Sequence, residues 1–487
     1  MKFAPMRTIL FFSFFFIFFI NPHLVEAQNS PFQPISYDYT NKTLLLPTGF
    51  TYQVLFSAGD DVYNAKGVIS PSKSEQDMVV YIPIQQSSEH GYLYISHEGR
   101  QANAVLGGGG GATMFEVIKQ EGKWQVLGNK QAVDFSNVGE TFRNCGGGLT
   151  PHGTVVTMEE EFPTSNAEIW KESGIKDTSV FQAKPRYLNY GWAVEVDPSN
   201  HQAIQKLKSF GRYRHEDAEF MPDDKTVYLS SDNKPSIIFK FVADKPGDYT
   251  KGQLFAYQES NENGIPAWLP LPMDESSLEN AIEEAVKLGA TMFIDQEWIQ
   301  RVGSKLYITE SGSGHFDFYK EIAMGGKPAK HLIDLCKKKG QDYEDPYGRI
   351  LELDLSTNKI RVYLNGGVSE SDGNFCFASP DAMTSARIHG KDWLIISEDS
   401  QGHLNGKSGP SIKAKGETYN EVYFLEPNRE KVAFTDLHRF IMAPEGCETT
   451  GNMFTPDGKT YFVSIQHPSS DNPEPFNRSC VIAISGF

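Results

Sequence analysis

Basic residues are in short supply in this chain. Its 45 Lys and Arg face 62 Asp and Glu across 487 residues, a formal charge of -17. That balance argues against nucleic acid or an anionic membrane surface as a partner, because both are bound through basic patches. Long apolar runs are also scarce. The one present, Ile9 to Ile20, spans twelve residues between Lys2/Arg7 and the small-residue pattern Val25-Glu26-Ala27. A membrane span needs roughly 20, so residues 1–27 read as a secretory signal peptide. The mature chain, from about Gln28, is expected to be exported, extracellular or periplasmic, with no membrane attachment after cleavage and a monomeric state.

Cysteine is sparse and its number is odd. Five thiols in an oxidising compartment leave at least one without a disulfide, and Cys145 is expected to be that one. Cys336, Cys376, Cys447 and Cys480 are left to pair in one of three ways. The cysteines and histidines lack the short paired spacing of zinc sites. A Gly-x-Ser-x-Gly elbow, a Walker loop and a dinucleotide fingerprint in a strand-turn-helix setting are all missing. The Gly107 to Gly111 run is not followed by Lys-Ser/Thr, so it reads as a loop tip and not as a phosphate cradle.

What the chain does contain is a degenerate phrase: three to five apolar or aromatic residues, a small hydroxyl residue, then an acid or its amide. It occurs at Tyr92–Glu98, Thr154–Glu159, Thr226–Asp232, Leu306–Glu310, Trp393–Glu398 and Thr460–Gln466, with steps of 61 to 88 residues between the ends. These steps exceed the ~40–50 residues of regular propeller repeats, so each unit must carry long loops. Strand-rich hairpins lie between the phrases, as at Trp192–Asn200 and Ile350–Asn358. The pattern predicts an all-β, six-bladed β-propeller with long loop insertions and the phrase-ending acids gathered at one mouth. One short helix is expected, Ser276 to Gly289, opened by a Ser276-x-x-Glu279 capping box and closed by glycine. No Pro- or Ser-rich linker divides residues 28–487, which are read as a single domain, closed by Lys42–Leu55 pairing with C-terminal strands.

The segment Asn144-Cys145-Gly146-Gly147-Gly148-Leu149-Thr150-Pro151-His152-Gly153-Thr154, running on to Glu159-Glu160-Glu161, puts a thiol near a carboxylate cluster. With an amide on one side and glycines on the other, that sulfur is open to close approach by a metal or another backbone. Further carboxylates sit in Gly211-Arg-Tyr-Arg-His-Glu216, Asp295-Gln-Glu297, Pro380-Asp381 with Glu398-Asp399, and Glu448 with Gln466-His467-Pro468. A thiolate with carboxylates suits iron, and carboxylates with carbonyls alone suit calcium.

In this order the motifs resemble the PhoX family of secreted alkaline phosphatases, from about Ser87 to Gln466. Its Asn-Cys-Ala/Gly-Gly-x-Thr-Pro-x-Gly-Thr…Glu-Glu signature matches Asn144 to Glu160, and its Gly-Arg-x-x-His-Glu motif matches Gly211, Arg212, His215 and Glu216. The resemblance implies a propeller that carries ferric iron and calcium and hydrolyses phosphate monoesters. Carried over by position, Cys145, Glu216 and Glu297 would hold iron. Glu159, Glu160, Asp381, Glu398, Asp399 and Glu448 would hold calcium or bridge. Two departures stand out. Asp295 replaces an arginine able to clamp phosphate, and Ser96 replaces an asparagine before His97-Glu98. Arg212 and Arg214 are the expected sources of the missing positive charge. Other readings of the same residues are a propeller hydrolase of another ester or lactone, and a calcium-stabilised binding scaffold.

Overall fold

The structure is a computed structural model that describes residues 30–38, 41–168, 187–312, 322–340, 345–369, 375–399 and 419–487. The expected signal peptide lies outside them. Among the described residues no helix is long and apolar enough to cross a membrane.

Six sheets, antiparallel except for a parallel pairing of Tyr63 with Gln131 at the edge of the first, surround a central channel. The first strands of blades 1 to 6 are Gln76–Pro83, Asn144–Leu149, His215–Phe220, Gln296–Val302, Pro380–Ile388 and Glu448–Phe454. Each packs against the first strand of the next blade, and the sixth returns to the first. Blade 6 is closed by the N-terminal strand Thr51–Ser57, which pairs antiparallel with Cys480–Ser485. Blade 1 widens to six strands by adding Asp61–Tyr63 and Ile69–Pro71 at its edge.

The six repeated phrases form the second strands of the six blades. Val155–Glu159 and Thr460–Gln466 are buried at every residue, because a second strand is covered by neighbouring blades on both faces. Burial on two faces explains why these segments read as continuous apolar runs where other strands alternate. Ile395 and Val463, both fully buried between blades 5 and 6, each stabilise the packing by about 1.5–3 kcal/mol.

Among the described residues the α-helices of five residues or more lie in the insertions between blades 3 and 4 and within blade 4. The expected helix is broken at Asn280 into Glu275–Glu279 and Ala281–Lys287, and its cap is Asp274, which accepts from the Ser277 amide at 3.2 Å. A further helix, Lys330–Lys339, buries only Leu332, so its apolar periodicity is too weak to stand out in sequence. The Gly107–Gly111 turn wraps carbonyl oxygens of Gly108 and Gly110 around the Lys73 ammonium. It therefore presents oxygens inward, the opposite of a phosphate cradle. Cys145, Cys336, Cys447 and Cys480 carry free thiols. Cys336 sits on the blade 4 insertion helix, apart from Cys447 and Cys480, which share the blade 6 core without a disulfide between them.

Candidate metal centre

One device is repeated six times at the mouth of the channel. In every blade the register between first and second strands slips near the mouth: after Gln76, Asn144, His215, Gln296, Pro380 and Thr450. A bulge of this kind leaves residues out of the ladder and re-aims a side chain. In blades 1 to 5 the first released residue is Asp77, Cys145, Glu216, Glu297 and Asp381. The sixth bulge lies further along the strand, at Gly451-Asn452, and the acid of that blade is Glu448, at the strand's start.

A bulge also strips a carbonyl of its ladder partner, and buried carbonyls need donors. The small hydroxyl residue of the repeated phrase supplies them across blades. Ser96 donates to Cys145 O at 2.8 Å, Thr309 to Asp381 O at 2.7 Å, and Ser464 to Asp77 O at 2.6 Å. The serine standing in for asparagine at position 96 is thus a brace for the cysteine backbone.

The result is three groups, within each of which the ligand atoms lie within 4.8 Å of one another: Asp77/Glu98/Cys145, Glu216/Glu297/Asp381 and Asp381/Asp399/Glu448. Asp381 belongs to two of them. Cys145 Sγ is 3.5 Å from Glu216 Oε2, which joins the first group to the second. It also lies 3.3 and 3.4 Å from the carbonyls of His215 and Glu216. Gly146 permits this approach, since a Cβ there would stand 2.4 Å from Glu216 O.

Burial, and then repulsion from neighbouring acids, holds Glu216, Glu297, Asp381 and Glu448 well above the ordinary carboxyl range. The same two causes push the Cys145 thiol up. Asp381 Oδ1 is buried without a hydrogen-bond partner. Concentrated carboxylates with an orphaned oxygen fit hard cations, and the Cys145 sulfur beside them adds a softer donor.

Six of the expected ligands, Cys145, Glu216, Glu297, Asp381, Asp399 and Glu448, fall in these groups. Glu160 stands beside Glu98, its carboxyl raised by burial and then by Glu98. Glu159 and Glu398 are placed elsewhere. Both end second strands one residue short of the mouth and bind main-chain amides: Glu159 those of Phe142 and Trp192, Glu398 those of Ala378 and Glu421. Glu159 is also paired with Lys206 at 3.1 Å. Both acids tie strands within a blade, and their carboxylates are consumed in doing so.

The expected arginines also part company. Arg212 donates to the carbonyls of Tyr190 and Tyr187 at 2.7 and 3.2 Å and stacks on Phe162, so its guanidinium does not meet the carboxylates. Arg214 sits at the rim, 3.6 Å from both Glu161 and Asp232. Among the described residues the Lys or Arg that reaches the centre is Arg143, 3.3 Å from Glu98 and 3.1 Å from Glu160. Asp295 is neutralised by Lys234 at 3.0 Å. Asp77, Glu98 and Arg143 had no assigned role in the sequence reading. Their signal was the hairpin itself: an acid opening the first strand, at Asp77, and an acid one residue past the second, at Glu98.

Fold and site together define a propeller with a thiol-and-carboxylate centre at its channel mouth. The sequence profile of the family described as alkaline phosphatase PhoX matches residues 118–469, and the chain belongs to that family. Among solved structures it is similar to Pseudomonas fluorescens PhoX in complex with vanadate, a transition-state analogue. The TM-score is 0.67 at 21% identity, covering 93% of this chain and 98% of that one. Likeness to Trypanosoma rangeli sialidase is slight, TM-score 0.38 at 9% identity over 90% of this chain and 59% of that one. Likeness to a Xanthomonas campestris gluconolactonase is slighter, 0.30 at 10% identity over 89% and 99%. A search of curated proteins returns no match.

Proposed function

We propose that this protein is an exported phosphatase that hydrolyses phosphate monoesters with iron and calcium held at the channel mouth. The observation that carries this reading is the set of three neighbouring ligand groups, one containing the Cys145 thiol, whose members Asp77, Cys145, Glu216, Glu297 and Asp381 stand on equivalent bulges of blades 1 to 5. Cys145, Glu216 and Glu297 would hold iron; Asp381, Asp399 and Glu448 would hold calcium, with Asp381 between the two. Glu98, Glu160 and Asp77 complete the acidic wall. Bound cations would screen the phosphate's charge and lower the pKa of an attacking water.

The chain's own residues perform the rest. The inter-blade hydroxyls fix the bulge backbones, so ligand oxygens are positioned before substrate arrives. Lys234 masks the Asp295 carboxylate, which would otherwise repel a phosphate at the mouth. The small-molecule substrate enters from the open end of the channel. Family membership, together with the similarity to a vanadate-binding propeller, supports this assignment.

The test is hydrolysis of an aryl phosphate by the mature protein produced with iron and calcium, before and after chelation, alongside Cys145→Ser. The expected result is activity that disappears with chelator and falls in the variant together with iron content. Hydrolysis indifferent to both treatments would overturn the metal assignment. A carboxylic ester or lactone cleaved in place of the phosphate would overturn the substrate class.

A further inference from the structure

The geometry points to Arg143 as the residue that grips the substrate's phosphoryl oxygens, an inference that rests on the phosphatase reading above. Arg143 precedes the bulge of blade 2 and has φ +45°, a left-handed conformation that costs a residue with a Cβ about 1–3 kcal/mol. Its main-chain carbonyl accepts from the Glu160 amide at 3.0 Å, which fixes it opposite the acidic wall. The side chain is 13% exposed and reaches three carboxylates: Nη2 lies 3.3 Å from Glu98 and 3.1 Å from Glu160, and Nη1 lies 3.0 Å from Glu161.

Those contacts use only the Nη groups. A guanidinium has five N–H donors in a planar fork, and Arg143 Nε is buried without a hydrogen-bond partner. An unpaired buried donor of a charged group is costly, so an acceptor belongs there. A tetrahedral oxyanion suits the fork, because two of its oxygens can be taken in parallel by Nε and an Nη. Glu98 shares a ligand group with Asp77 and Cys145, so with a cation bound there its carboxylate would hold Arg143 less tightly and would leave a guanidinium donor for the phosphate.

Other cations at the mouth are less suited. Arg214 and Lys234 have side chains 44% and 51% exposed, and an exposed pair adds little in water. Arg212 is committed to main-chain carbonyls. Among the described residues Arg143 is the cation that is both desolvated and in contact with a member of a ligand group.

The experiment compares metal-loaded wild type with Arg143→Gln, Arg143→Lys and the control Arg100→Gln, Arg100 being an exposed residue paired with Glu161 at 2.7 Å. It measures iron and calcium content, KM for an aryl phosphate, the inhibition constant of inorganic phosphate, and the rise in Tm caused by phosphate. For Arg143→Gln the expected result is unchanged metal content with KM and the phosphate inhibition constant both raised about 10- to 100-fold, the effect of losing a charge-assisted bidentate contact. Arg143→Lys should fall between, since a point charge restores attraction without the fork. Arg100→Gln should stay within about twofold.

If metal content falls in step with phosphate affinity, Arg143 is a counter-ion for Glu98 and Glu160 and the inference is overturned. It is equally overturned if phosphate raises the Tm of Arg143→Gln as much as that of wild type. Should wild type hydrolyse no phosphate ester yet gain Tm from phosphate in an Arg143-dependent way, the phosphate grip stands and the reaction assignment falls. Arg143→Lys keeps the comparison decisive if the glutamine variant does not fold.

Discussion

The same six first strands end very differently at the two ends of the channel. At the mouth they release Asp77, Cys145, Glu216, Glu297 and Asp381 into a space where Arg143 is the nearest cation. At the far end the charges are matched. Glu219 accepts from the Arg301 amide at 3.0 Å and pairs with its side chain at 3.3 Å, and His152 lies between Glu195 and Asp224 at 3.1 and 2.9 Å. Towards the far end lies an open cavity of about 190 Å³, with Met78, Glu219, Phe220, Trp298 and Met383 among its lining residues. Charge that contributes to the fold is neutralised where it stands. At the mouth Arg143 meets Glu98 and Glu160, while Asp77, Glu216, Glu297 and Asp381 form no ion pair among the described residues, and such a surplus of acid is what a centre built for cations requires.

The sharpest way to break this contrast is Asp381→Asn. Asp381 is shared by two ligand groups, so its loss should lower both iron and calcium content. Phosphatase activity should fall by more than about 100-fold, the upper end for losing a mere outer-shell partner. Elemental analysis beside a rate measurement checks this, and retention of both metals would mean that the mouth is not a shared centre. Glu219→Gln at the far end should leave metal content and rate unaltered.

Gly451→Ala addresses how the two ends are joined. Gly451 has φ +50°, and a Cβ there would lie 1.8 Å from Asp77 O. Blade 6 therefore meets blade 1 through bare backbone at the bulge that carries a ligand. Overpacking and backbone strain together should destabilise the protein by about 3 kcal/mol, seen as a lower denaturant midpoint. A midpoint equal to that of wild type would show that the blades can part here without loss. Thr309→Val is a milder version. It removes the hydroxyl that satisfies Asp381 O at 2.7 Å, and leaving that buried carbonyl unpaired costs about 1–3 kcal/mol. The variant should unfold at a lower temperature and bind calcium more weakly, both measurable by melts with and without the ion.

These residues also show what sequence can and cannot disclose. The second strands were legible because burial on both faces erases alternation and leaves compact apolar runs such as Trp393-Leu394-Ile395-Ile396. Cys145 was legible because glycines beside a thiol leave room that packing seldom needs. Parity was not. Glu159 and Glu160 are neighbours of one chemistry, yet Glu159 is the last residue in register with the first strand and turns into the blade, while Glu160 passes the strand end and faces the mouth. Side chains alternate along a strand, so where the strand ends decides which acid faces the mouth, and sequence fixes an end only to within a residue or two. Arg143 was hidden for a related reason. Its left-handed backbone and its three carboxylates come from different segments, and only the closed ring of blades brings them together.

The smallest expected effect belongs to the far end. Burial works to lower the His152 pKa, but hydrogen bonds to Asp224 and Glu195 outweigh it and raise the value above 6.5. A folded-state pKa above the unfolded one means that the folded protein holds this proton more tightly. The clasp between blades 2 and 3 is therefore at full strength below about pH 6.5 and is lost as pH rises through the raised value. The imidazole is partly exposed, so solvent screening keeps the contribution below about 1 kcal/mol. Melts from pH 6 to 9 should show wild type losing its advantage over His152→Gln as the pH climbs, with rate constants for the two proteins equal throughout. A rate difference that tracked the same titration would tie the far end to the mouth, and the division of the channel into a structural end and a chemical end would have to be abandoned.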